Sequence, residues 1–152
     1  MSNLQDKYAP HSICFGCGPA NKQGLQIKSE PGPDEVIAEF HPKPHHAAFE
    51  NMLSGGICGT LLDCHSNWTA AHHLMERNHL DAPPCTVTAE YAVKLLAPTP
   101  MTGPLTIRAH VVEASDRKAV VEASLESNGQ VTATCRGTFV SVKEGHPAYH
   151  RW

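Results

Sequence analysis

The pattern of apolar and polar positions changes period along the chain. Between Gly55 and about Met75, the residues Ile57, Leu61, Cys64, Trp68, Ala71 and Met75 recur at spacings of four, three, four, three and four, which is one face of an α-helix. No proline interrupts this stretch, and at 1.5 Å per residue it spans roughly 30 Å. Ser54 stands at the N-cap position, while Asn78 and Pro83-Pro84 mark the end. Upstream, the alternation of Leu25 and Ile27 predicts a short strand stopping at Pro31-Gly32-Pro33, and Val36 to Phe40 predicts a return strand. His41-Pro-Lys-Pro-His-His46 predicts a loop, because each proline lacks a donor and restricts the residue before it. Downstream the period is two. Cys85 to Leu96 is rich in Val, Thr and Tyr; Leu105, Ile107, Ala109 and Val111 alternate with Thr106, Arg108 and His110; Val120 to Leu125 and Val131 to Val142 continue. Pro98 to Gly103, Ser115 to Arg117 and Ser127-Asn-Gly129 separate these strands, the last with the positive-φ residues of a tight hairpin. The predicted order is two short strands, one long helix, and four strands in an antiparallel meander. This is an α+β fold with about six strands wrapped on one helix. Residues 1–24 read as a turn-rich leading segment and 144–152 as a tail.

Composition narrows the class. A chain of 152 residues has room for a single domain, and 41% hydrophobic with 18% charged residues suffices for a core. Twelve Lys and Arg against fifteen Asp and Glu leave a formal charge of −3, without the basic block of a nucleic-acid binder. No run approaches the ~18 apolar residues of a membrane span, and Met1 to Pro10 lacks the apolar region of a secretory signal, so a cytoplasmic location is expected. The six cysteines are accordingly expected to be reduced thiols.

The start of the long helix carries the candidate chemistry. Gly55 and Gly56 put free backbone amides at the positive end of a helix dipole, with no side chains to block a carbonyl's approach. They are candidates for an oxyanion site. Asp63 lies about two turns further on, sharing a face with Gly56, Thr60 and Asn67 and away from the Ile57/Leu61 stripe. A carboxylate midway along a central helix is costly to bury unless partnered or used.

A single long helix against an antiparallel sheet, in this chain order, resembles the hotdog fold. Ser54-Gly-Gly-Ile-Cys-Gly-Thr-Leu-Leu-Asp63 resembles the helix-start motif of the phenylacetate-pathway-type (PaaI-like) acyl-CoA thioesterases. There a His-Gly-Gly opens the helix and an acid follows nine positions after the His. Gly55, Gly56 and Asp63 match, while Ser54 replaces the His. Cys14-Phe-Gly-Cys-Gly-Pro-Ala-Asn21 with Gly24-Leu25 resembles an N-terminal signature of a subset of that family, and Thr86-Val-Thr88 through Leu96-Ala-Pro98 resembles its third strand. The resemblance spans roughly Cys14 to Val142. It implies thioester hydrolysis without a cofactor, with Asp63 as general base or as nucleophile forming a mixed anhydride. It implies that Thr88, donated by a neighbouring subunit, holds the water or the acid, and hence a homodimer or a dimer of dimers. Ser54, Gly56, Asn67, His46, Arg117 and Arg136 are the candidate substrate-binding residues, with Lys118 a further possible phosphate partner.

Other readings remain open. The replacement of the motif His by Ser54 leaves room for an acyl-CoA binding protein that does not cleave. A hydratase would need a His five residues after the acid, where Trp68 stands. Cys14-x-x-Cys17 with His11 and one of His41, His45 or His46 offers a zinc set, but no second Cys-x-x-Cys supports it, and the expectation is no metal and a tight turn covering one end of the sheet. His72, His73 and His79 read as solvated residues near the helix end, and His65 as lying near the site.

Overall fold

The computed structural model describes residues 3–152. A short helix α1 (Leu4–Tyr8) is followed by β1 (Glu30–Pro31), β2 (Val36–Phe40), β3 (Ala47–Phe49) and β4 (Met52–Leu53). The long helix α2 (Gly55–Arg77) comes next, and then β5 (Thr86–Leu95), β6 (Leu105–Ala114), β7 (Lys118–Ser127) and β8 (Gln130–Ser141). Six strands form one antiparallel sheet in the order β1-β2-β6-β7-β8-β5, and β3 pairs with β4 separately. Helix α2 packs across β5 to β8, so the architecture is the expected hotdog arrangement.

The core lies between helix and sheet. Leu61, Leu62, Trp68 and Leu74 of α2 are fully buried with Leu105, Ile107, Val121, Leu125 and Phe139 of the sheet. Each such side chain contributes about 1.5–3 kcal/mol of transfer free energy. Burial on α2 is wider than the predicted stripe, taking in Cys58, His65, Ser66, Asn67, Thr69 and Ala70. The reason is that α2 is covered on a second side by the N-terminal segment, whose Leu4, Cys17, Leu25 and Ile27 belong to the same core. The helix ends two residues beyond the expected Met75, with Asn78 as C-cap. Its side-chain amide donates to the carbonyls of Leu74 and Asp116. His79 then turns left-handed at φ 55. Its amide reaches Glu76 O and that of Leu80 reaches Met75 O, which closes a Schellman motif.

Several local expectations are corrected. Leu25 and Ile27 do not form a strand, because Gln26 between them adopts φ 59. The amides of Leu25 and Ile27 instead donate to Phe15 O and Gly16 O, and the Gln26 side-chain amide donates to three carbonyls of residues 18–21. Pairing with β2 begins only at Glu30. The segment 1–24, read as turns alone, contains α1, and the 41–46 loop ends in a 3-10 turn at Pro44–His46 before β3. The four C-terminal strands are not a simple meander. The connection from β5 to β6, with its prolines, is too long for a tight hairpin, and β5 pairs with β8 while β6 pairs with β2. The β7–β8 hairpin is as expected, with Asn128 at φ 52 and Gly129 at φ 79. His72 is partly buried beside Glu76 rather than solvated.

Candidate active site

One row of α2 faces β5. Gly55, Gly59, Asp63 and Asn67, four residues apart, stand opposite Leu95, Tyr91, Thr88 and Thr86 respectively. The row therefore contains Gly55 and Gly59 rather than the expected Gly56 and Thr60; the Thr60 hydroxyl bonds back to Gly56 O. A bulge between Thr88 and Glu90 allows both Thr88 and Tyr91 to reach the helix.

Asp63 is at the centre of this row. The Thr88 hydroxyl donates to Asp63 Oδ1 at 2.7 Å, within one chain. Burial raises the Asp63 pKa above the usual carboxylate value, and the Thr88 hydrogen bond opposes the shift. The charge of Cys14 pushes it up further, and the Arg151 guanidinium pulls it down. The Tyr91 hydroxyl, itself raised by burial and then by the charge of Asp63, lies on the same side. A half-buried carboxylate with one fixed hydroxyl donor can accept a proton from water or attack an electrophilic carbon.

The other candidate group is the start of α2. Ser54 is the N-cap residue, yet its hydroxyl makes no capping bond. The capping expectation is thus corrected: only its backbone is engaged, with its amide donating to His46 O and its carbonyl accepting from Cys58. Gly55 and Gly56 are exposed, and their amides have no protein acceptor, as at any uncapped first turn. Beside them opens a cavity of about 350 Å³, lined mainly by Phe49, Met52, Leu53, Cys58, Leu95 and Leu96. Such an apolar space next to unpaired amides can take an acyl group with its carbonyl at the helix end.

The remaining candidates are dispersed. Asn67 is occupied by Thr86, whose hydroxyl donates to its Oδ1 at 2.8 Å. His46 is buried against Phe40, and its Nδ1 accepts from the Lys43 amide; burial lowers its pKa. His65 is turned away from Asp63. Its Nε2 donates to Val36 O and its Nδ1 accepts from Ser29, both at 2.8 Å, and full burial pushes its pKa down to about 4. Arg117 donates to Ser141 O. Arg136 is engaged by Glu122 and Glu113. Neither arginine makes a contact with the row around Asp63.

Three features were not anticipated from the sequence. Arg151, in the tail, donates to Thr86 O and brings a positive charge toward Asp63; Trp152 beside it stacks on Trp68 with ring centroids 4.3 Å apart. Tyr91 carried no motif signal. Cys64, assigned to the apolar stripe, brings its thiol to 3.8 Å from that of Cys14. Only the large apolar side chain of Trp152 in an otherwise polar tail could have hinted that the tail folds back.

No family model matches the chain, and no curated protein matches it. Solved structures do. A thioesterase superfamily protein from Shewanella loihica is 31% identical over 91% of this chain and 99% of its own, with a TM-score of 0.71. A Bacillus halodurans protein, solved with CoA, is 25% identical over 79% of this chain and 76% of its own, at a TM-score of 0.63. A phenylacetic acid degradation-related protein from Ralstonia eutropha shares the fold at 17% identity and a TM-score of 0.66, covering 82% of this chain and 92% of its own. With a helix-borne carboxylate, a glycine pair at the helix start and near end-to-end similarity to the Shewanella protein, the chain belongs to the thioesterase superfamily.

Proposed function

We propose that this protein hydrolyses an acyl-CoA thioester to the free acid and CoA, with Asp63 as the reacting carboxylate. The observation that carries the reading is the half-buried Asp63 held by Thr88 in the middle of the central helix. Burial raises its basicity, and Thr88 leaves the second carboxylate oxygen unbonded by the protein. That oxygen either takes a proton from water as the water adds to the thioester carbon, or attacks that carbon itself. In both routes the carbonyl electrons move onto oxygen, where the amides of Gly55 and Gly56 receive the charge. Collapse of the intermediate breaks the carbon–sulfur bond and releases CoA thiolate; in the first route the free acid is formed at once, and in the second the acyl group stays on Asp63 as a mixed anhydride that water then cleaves to the acid and the free carboxylate. The CoA bound by the Bacillus relative supports this ligand class.

The site is shared between two chains in this proposal. Eight residues of helix separate Gly55 from Asp63, roughly 12 Å at 1.5 Å per residue, too far for both to act on one carbonyl. A second copy removes the difficulty by bringing its helix start to the first copy's Asp63. The surface such a copy would cover is present: β5 has one unpaired edge, and Phe49, Leu95 and Leu96 beside it are each about three-fifths exposed.

The test is thiol release from a panel of acetyl- to palmitoyl- and arylacetyl-CoAs by wild type and Asp63→Asn. Turnover by wild type that Asp63→Asn loses supports the reading. Binding of acyl-CoA without release by wild type identifies a non-cleaving binder, the role that Ser54 in place of the motif His leaves open.

A further inference from the structure

Two cysteines of one N-terminal turn and a third from the middle of α2 converge beside the row just described. The Sγ atoms of Cys14, Cys17 and Cys64 all lie within 4.8 Å of one another, and those of Cys14 and Cys64 are 3.8 Å apart. All three are free thiols. Sulfurs bound to one tetrahedral zinc at ~2.3 Å stand about 3.8 Å from each other, whereas a disulfide holds its pair at about 2 Å.

The surroundings are built for sulfur. The Trp68 indole Nε1 donates to Cys17 Sγ at 3.3 Å, and the backbone amides of Gly16 and Cys17 add to the groups that favour the Cys14 thiolate. Donors aimed at sulfur favour the thiolate, the form that binds metal. Glycine is required for the approach, since a Cβ on Gly16 would overlap Cys64 Sγ, and one on Gly24 would overlap Phe15 O. The conformation of the Cys-Phe-Gly-Cys-Gly turn therefore serves to bring two of its sulfurs onto the third, on α2. The histidines weighed with this turn are not part of the cluster.

We propose that Cys14, Cys17 and Cys64 bind a thiophilic d10 cation, zinc, which clips the N-terminal segment 12–27 onto α2. Loading releases the remaining thiol protons to solvent and leaves three thiolates on the ion. Three protein ligands leave the fourth position of a tetrahedron to water. The consequence is positional: Cys64 directly follows Asp63, and an ion there ties down the turn of helix that carries the carboxylate. This revises the expectation of no metal.

The experiment is a Co²⁺ titration of the reduced, metal-free full chain, followed by absorbance. The expected result is a sulfur-to-cobalt charge-transfer band saturating at about one equivalent, removed by zinc, with a melting temperature that rises on zinc loading. Cys17→Ser should lose the band, and Cys85→Ser, outside the cluster, should keep it. A folded wild type with no band in excess Co²⁺ overturns the proposal, as does equal loss of the band in both variants. So does the loss of two titratable thiols on mild oxidation in a protein that binds no cobalt, which would make the cluster a disulfide-forming pair. No thioester enters the measurement, so its failure is separate from failure of the hydrolase reading.

Discussion

Asp63 and His65 are two residues apart on one helix, and their environments separate their roles. Asp63 keeps one oxygen free and is only half-buried, whereas both nitrogens of His65 are consumed inside the core. Asp63→Asn keeps the volume and the Thr88 contact but removes the base. Turnover of the preferred thioester should fall by about 10²–10⁴-fold with acyl-CoA binding retained, and near-normal turnover in the variant would remove Asp63 from the mechanism. His65 behaves differently. Replacing it with Leu removes the acceptor of the Ser29 hydroxyl and the imidazole donor to Val36 O at a fully buried position, so His65→Leu should cost about 1–3 kcal/mol in denaturant unfolding. A variant as stable as wild type would show that water replaces the imidazole.

At the scale of elements, α2 is defined by unusual residues at both ends. Its start is left uncapped, because the Ser54 hydroxyl does not fold over the first turn. The helix therefore forgoes about 1 kcal/mol of capping energy at the place where the proposed reaction uses free amides. Its end spends strain as well, with a histidine in the left-handed position of the Schellman motif, where glycine has no Cβ penalty. His79→Gly should stabilise the chain by roughly 0.5–1 kcal/mol, read as a rise of about 1–4 °C in melting temperature. His79→Val, with a β-branched side chain at the same φ, should lower it. Equal melting temperatures for all three would mean that the turn relaxes out of the left-handed region at no cost.

For the whole molecule, the separation of the helix start from Asp63 and the open edge of β5 bear on assembly. If the site is shared between copies, two inactive chains can repair each other. Gly55→Pro removes one oxyanion amide while keeping a residue tolerated at the first helical position, and Ser54 before it already has the extended ψ of 132° that proline requires. Mixed with Asp63→Asn and allowed to exchange, it should restore about a quarter of wild-type activity, since half the random dimers are mixed and each has one intact site of two. No recovery above the separate variants would place each site within one chain.

Much of this protein is determined by its sequence alone. The period of 3.6 from Ile57 onward, the period of two after Cys85 and the Asn128-Gly129 turn suffice for a long helix and a C-terminal sheet, because these signals are local and the burial they report is strong. That Gly55, Gly56 and Asp63 lie on one helix was legible for the same reason, though the face Asp63 shares is that of Gly55 and Gly59 and not the expected one of Gly56 and Thr60. What only the tertiary structure decided is long-range. The pairing of β5 with β8, the approach of Thr88 to Asp63, the return of Arg151 and Trp152 to α2 and the meeting of Cys64 with Cys14 and Cys17 join residues that are far apart in the chain or on different elements, and no local period encodes them. The N-terminal segment shows the limit from the other side. Leu25 and Ile27 have the alternation of a strand, yet Gln26 takes a left-handed turn whose side chain binds three carbonyls, and that network, together with burial against α2, outweighs the local preference for an extended strand.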